Sequence, residues 1–238
     1  MTKFVSLFGL FLFLAAHPGE KLSAHYTATP IQLDGLGNEK AWQKASWLPL
    51  DQFWIGPALD SNDFKGRYKL LWDENQLYLL AEIRDDTLID IYKDQFDSWW
   101  DDDCLEIFVD EDRSKGNHQF THNAFAHHIA LDGNVVDIGP DHKPHLYNQD
   151  VRSKRTQQGK VSTWECSVKL FPDTYKDSTL NTPVKLSAGK KVGFALAYCD
   201  NDRSERRESF IGSIPVEGTD KNRGWIDAGI FGELVLEK

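Results

Sequence analysis

The sequence predicts an all-β fold, a sandwich of two antiparallel sheets of the jelly-roll or immunoglobulin-like kind. Three observations carry the prediction. Short runs of period-2 hydrophobic alternation recur from Tyr68 to Leu236, turn residues separate them, and helical periodicity is confined to one short turn at Asn38 to Ala45.

Taken in order, Tyr68-Lys69-Leu70-Leu71-Trp72 runs into the turn Asp73-Glu74-Asn75-Gln76, and Leu77 to Ile83 returns as the second arm of a hairpin. Cys104-Leu105-Glu106-Ile107-Phe108-Val109-Asp110 reads as a strand. His118 to Leu131 reads as a long strand, turned by Asp132-Gly133-Asn134 into Val135 to Ile138. Thr163 to Leu170 alternates cleanly, and Val192 to Cys199 reads as a buried strand. Glu208 to Ile214 and Gly232 to Leu236 complete the set. Gly139 to Gly159 is polar and reads as a long loop excursion.

The 238 residues carry a formal charge of −10, which is unfavourable toward phosphate backbones and anionic lipid, so nucleic acid is not an expected partner. At the N-terminus, Lys3 precedes a 13-residue apolar run, Phe4 to Ala16, followed by small residues at Ser23 and Ala24. A positive start, an apolar stretch of this length and small residues near a cut site describe a secretory signal, residues 1–24, with cleavage after Ala24 or Ala16. The run is short for a span of about 20 residues, and no membrane span is expected after cleavage. A single domain is expected over 25–238, in the periplasm or outside the cell.

Cys104, Cys166 and Cys199 are too few for a disulfide framework and are expected as buried thiols, with a Cys166–Cys199 bridge as the alternative. Six of the eight histidines fall between 118 and 145, yet no Cys/His spacing matches a zinc site, and an ion would need partners from elsewhere. Asp101-Asp102-Asp103 with Asp97 and Glu106 is the densest acidic cluster. It is expected as a solvated loop at Asp101 and Asp102, while Glu106 on its strand has a fixed direction.

Four segments, in order, resemble the family 9 carbohydrate-binding modules. They are Ile31-Gln32-Leu33-Asp34-Gly35 with Glu39 and Trp42; Leu71 to Leu79 with Asp85; Trp100 to Asp110; and Gly224-Trp225-Ile226-Asp227 with Phe231-Gly232-Glu233-Leu234. The resemblance implies a β-sandwich that holds a sugar or glycan end between two tryptophans and carries structural calcium. By position, it implies Trp100 and Trp225 as the sugar-stacking pair, with Glu106 and Asn222 on the rim. Where the family pattern has an arginine and then an asparagine, this sequence has Thr121 and Asn123. Asp85 is the implied metal ligand. The stretch from His127 to Pro144 is longer than in those modules, which implies a remodelled or covered site. The resemblance is to a stand-alone, non-catalytic binder, with a separately encoded glycan-degrading enzyme as its partner.

The chemistry of these residue types agrees with that role. An indole offers a flat apolar surface to a pyranose face, and carboxylates and amides offer acceptors and donors to its hydroxyl edge. Trp100 and Trp225 lie in polar surroundings, whereas Trp42, Trp47, Trp72 and Trp164 are expected in the core. Trp99 is expected to plug the end of the sandwich. Two other functions remain open. One is a glycoside hydrolase using Glu106 and a partner carboxylate. The other is a secreted haem-binding sandwich, which would need two histidines because Met1 is the only methionine.

Overall fold

The computed structural model describes residues 22–238. Most of the expected signal segment, 1–21, lies outside the described residues. The strands are β1 (Leu22–Tyr26), β2 (Leu48–Leu50), β3 (Gln52–Ile55), β4 (Phe64–Trp72), β5 (Leu77–Asp85), β6 (Cys104–Asp110) and β7 (Phe125–Ala130). They continue with β8 (Val135–Ile138), β9 (Pro144–Leu146), β10 (Val151–Gln158), β11 (Val161–Val168), β12 (Lys191–Asp200), β13 (Ser209–Gly212) and β14 (Gly232–Glu237). Short 3₁₀ turns occupy Lys40–Lys44 and Ala228–Ile230.

One layer has the order β10-β11-β5-β4 and the other β14-β12-β6-β7-β8-β9. The main core lies between them. Tyr68, Leu70 and Trp72 of β4, Leu79 and Ile83 of β5 and Trp164 of β11 face Leu105, Ile107 and Val109 of β6 and Phe194, Leu196 and Tyr198 of β12. Alternation in β12 sorts its residues by size. Val192, Phe194, Leu196 and Tyr198 enter this core, while Gly193, Ala195, Ala197 and Cys199 take the other face. That outer face is therefore shallow.

The outer face of the first layer is covered by the segment from Ile31 to Trp47, which adds Ile31, Trp42 and Ala45 to Leu71, Tyr78 and Leu80. Buried Glu165 fixes this cover, accepting from Asp34 N (3.1 Å), Gly35 N (2.8 Å) and Trp42 Nε1 (3.1 Å).

Three expectations need correction. The long strand from His118 to Leu131 is only β7, because residues 119–124 form turns. The excursion Gly139–Gly159 contains β9 and β10, which are the outermost strands of the two layers and hence polar on their outward positions. The sheets are also not wholly antiparallel. β1 pairs in parallel with β14 (Leu22↔Leu234 to His25↔Glu237) and with β4 (His25↔Leu71, Tyr26↔Trp72), so it stitches the two layers together. All three cysteines are free and buried, and no Cys166–Cys199 bridge forms. Trp42, Trp72 and Trp164 are buried as expected. Trp47 is half-buried under Arg67, whose guanidinium lies 4.1 Å from the ring centroid.

Leu22, Ser23 and Ala24 belong to β1, and Ala24 is fully buried. A cut after Ala24 would remove most of the seam, whereas a cut after Ala16 keeps it. A chain beginning at His25 should therefore be less stable than one beginning at His17 by about 2–4 kcal/mol, from lost burial and ladder hydrogen bonds. Thermal melts check this: a fall in Tm on the order of 5–10 °C is expected, and equal values would show β1 to be dispensable.

Candidate functional site

The shallow outer face of β6, β7 and β12 is the floor of a cleft of about 320 Å³. Ala126 and His128 of β7, Glu106 and Phe108 of β6 and Phe210 of β13 line it. Small side chains at Ala124, Ala126, Ala195 and Ala197 leave the room that large ones would fill.

One wall carries Trp99 and Trp100. The two rings meet edge to face, 4.7 Å between centroids at 79°, and Trp100 is 38% exposed. Trp99 is thus a wall of the cleft rather than a plug of the sandwich end. The loop that presents both rings is held by the acidic triplet, which corrects the expectation of a solvated Asp101 and Asp102. All three aspartates are buried. Asp102 accepts from the backbone N–H groups of Ile91 (2.9 Å) and Tyr92 (3.0 Å). Asp103 accepts from Ile89 N (2.5 Å) and Asn201 N (2.8 Å), and Asp101 from Arg207 N (3.2 Å). Carboxylates suit this task because each has two oxygens for orphan loop amides.

Trp225 also lines the cleft. Its loop is pinned by His118, whose Nε2 donates to Gly224 O at 2.7 Å and whose backbone N–H donates to Ile226 O at 2.8 Å. Burial holds His118 below the ordinary histidine value, so the ring is the neutral donor this bond needs. Gly224 is required by close approach: a Cβ there would lie 2.7 Å from the Phe108 ring.

The remaining side comes from the stretch His127–Pro144, through Asp137 and Ile138 of β8. Asp137 accepts from Ala126 N and Ile138 N, both at 2.7 Å, and burial pushes its pKa up to about 7. His122 also lines the cleft, with Nε2 3.0 Å from Asp177 Oδ2.

Of the residues singled out in the sequence, Trp100, Trp225, Glu106, Asn222 and Thr121 all line this one cleft. Asn123 is not brought to it: its Nδ2 donates to Lys115 O at 2.8 Å, inside a turn rather than on a strand. Sequence reasoning missed Arg207, which enters from the loop before β13. Its guanidinium stacks on Phe210 (4.2 Å to the centroid) and donates to Asn222 Oδ1 (2.9 Å) and Cys199 Sγ (3.0 Å). A guanidinium is therefore present on the floor although Thr121 stands where the family pattern has an arginine. His128 was missed too. It lies directly across from Glu106 on the paired strand, with Nε2 3.2 Å from Oε2. Burial opposes its charge, but Glu106 outweighs burial and raises its pKa. Large–small alternation in β12 was the one signal in the sequence that could have marked this face.

Asp85 lies away from the cleft. With Asp103 and Asp200 it brings carboxylate oxygens within 4.8 Å of one another, all three residues buried. Burial pushes their pKa values up to about 6, 9 and 8 respectively; the charge of Asp85 adds to the rise at Asp103 and Asp200, and Asp202 and Asp86 add to that at Asp85. Three converging hard oxygens in a site where their charge is costly are a donor set that fits Ca²⁺.

A family profile described as "Carbohydrate family 9 binding domain-like" matches residues 33–238. The endo-1,4-beta-xylanase A of Thermotoga maritima is 41% identical over 213 residues, which are 88% of this chain and 17% of the xylanase. The endo-1,4-beta-xylanase C of Paenibacillus barcinonensis is 24% identical over 200 residues, 84% of this chain and 16% of the enzyme. The chain thus spans about a sixth of the length of these relatives. Among solved structures, a family 9 carbohydrate binding module from Caldicellulosiruptor kristjanssonii in complex with cellotriose superposes with a TM-score of 0.70 at 19% identity, covering 92% of this chain and 94% of that one. With the profile match running through nearly the whole described sandwich, the chain belongs to the carbohydrate family 9 binding domain-like family.

Proposed function

We propose that the protein is a non-catalytic carbohydrate binder that takes a mono- or oligosaccharide, or a glycan end, into the cleft between Trp100 and Trp225. The observation that carries this is the convergence of two loop tryptophans, a strand-borne glutamate, an amide and a hydroxyl on one cleft. Trp100 and Trp225 supply flat apolar surface for the axial C–H groups of a pyranose. Glu106 accepts from hydroxyls, Asn222 and Thr121 bond in either sense, and Arg207 donates beside them. A related module crystallised with cellotriose makes a short β-glucan fragment the first ligand to try.

The reading extends to export and to a partner. A leader ahead of β1 would direct the chain to the periplasm or beyond, where it would act beside a separately encoded glycan-degrading enzyme. That relatives are xylanases supports this context. Among the described residues no helix is long and apolar enough to cross a membrane. A structural Ca²⁺ belongs to the same reading: Asp85, Asp103 and Asp200 would hold it, and the ion would offset the repulsion among their charges.

Trp100→Ala and Trp225→Ala should each weaken cellotriose binding by about tenfold to a hundredfold in calorimetry, and unchanged titrations in both variants would remove the proposal. Asp102→Ala frees the Ile91 and Tyr92 amides, so binding should drop about tenfold while Tm falls by only a few degrees; an unaltered affinity would mean that the clamp does not position the tryptophans. A chelator should lower Tm on the order of 5–10 °C, restored by Ca²⁺ and not by Zn²⁺. Asp85→Asn should blunt that response, and a chelator with no effect on the wild type would reject the calcium.

A further inference from the structure

We infer that Glu106, His128 and Cys199 form a site for a borderline-soft divalent ion, of the Zn²⁺ class, at the floor of the cleft. Their donor atoms, a carboxylate oxygen, an imidazole nitrogen and a thiol sulfur, lie within 4.8 Å of one another. They come from three adjacent strands. Glu106 of β6 is the register partner of His128 on β7, and Cys199 of β12 lies two residues beyond Ala197, the other register partner of Glu106. Side chains on such a face are held by the ladder itself rather than by a loop.

Three details favour an ion over a plain hydrogen-bond network. The Nε2–Oε2 separation of 3.2 Å is close to the donor–donor edge of a tetrahedron with bonds of about 2 Å. His128 Nδ1 lies 3.2 Å from Ala126 O, so it carries the hydrogen and leaves Nε2 as the free donor once the imidazole is neutral. A cation then takes the place of the proton between Nε2 and Oε2. Finally, Cys199 is fully buried, and its sulfur accepts from Arg207 Nη1 at 3.0 Å. An N–H donor outside the coordination sphere stabilises a metal thiolate. Cys104 is the register partner of Cys199 on β6 and is equally buried. The oxygen-only cluster at Asp85 suits a hard ion, and the sulfur here selects a softer one. Three protein donors leave a fourth position for a water or ligand atom, and two of the three residues, Glu106 and His128, line the cleft.

The inference does not rest on sugar binding, and its test needs no sugar. Co²⁺ added to the reduced, chelator-treated protein is the probe. Expected are a thiolate-to-cobalt charge-transfer band in the near ultraviolet and tetrahedral-strength visible bands, displaced by about one equivalent of Zn²⁺. Cys199→Ser should abolish the charge-transfer band, His128→Ala should weaken the affinity by at least about tenfold, and Cys104→Ser should retain both. No bands and no saturable Zn²⁺ binding in the wild type would overturn the site, as would a band that survives in Cys199→Ser. Should Cys199→Ser fail to fold, zinc-edge absorption on the wild type decides: one sulfur near about 2.3 Å supports the site, and a shell of nitrogen and oxygen alone overturns it.

Discussion

The acceptance of loop backbone N–H groups by the buried carboxylates of Asp101, Asp102 and Asp103 is the constraint on which the cleft depends. The segment between β5 and β6 has no ladder of its own, so its amides would otherwise have to meet water. Five such bonds, to Ile89, Ile91, Tyr92, Asn201 and Arg207, tie two loops to one triplet. Trp99 and Trp100 precede that triplet directly, and Arg207 follows from the second loop. A wall and part of the floor are thus fixed by one acidic element.

The cleft exists because the second layer spends its two faces differently. In β12 and β6 the large aliphatic and aromatic residues pack inward, as Leu196, Tyr198, Leu105 and Ile107 do. Alanine and cysteine dominate the outward side. Loops that close over a face of small residues cannot fill it, and a concavity remains. The face is also where polar groups can be placed at fixed positions, as Glu106 and His128 are.

Much of the sandwich was legible in the sequence for the same reason. Alternation shows where a strand is half-buried, and β4 to β6, β11, β12 and β14 carry it plainly. It fails at the margins. β10 has Arg152, Lys154 and Gln158 exposed, so its edge position erased the signal. Thr121 and Asn123 fell on the wrong side of a strand boundary because the turns at 119–124 carry no glycine or proline to announce them. For the cleft, Trp100, Trp225 and Glu106 were reached through the family resemblance, with which the polar setting of the two tryptophans agrees. Arg207 and His118 were not, since each acts through a partner such as Asn222 or Gly224 that is remote in sequence or in another element. The acidic triplet was misread because its amide partners are set by loop closure rather than by spacing.

The parallel seam at β1 has a kinetic corollary. Leu22 meets Leu234, the widest separation along the chain of any strand pair described. Bringing such distant segments together carries the largest loop-closure entropy among the described strand pairs. A nascent chain emerging from the ribosome cannot complete the sandwich until β14 has been synthesised. The polypeptide therefore stays unlatched at this seam until β14 can reach β1.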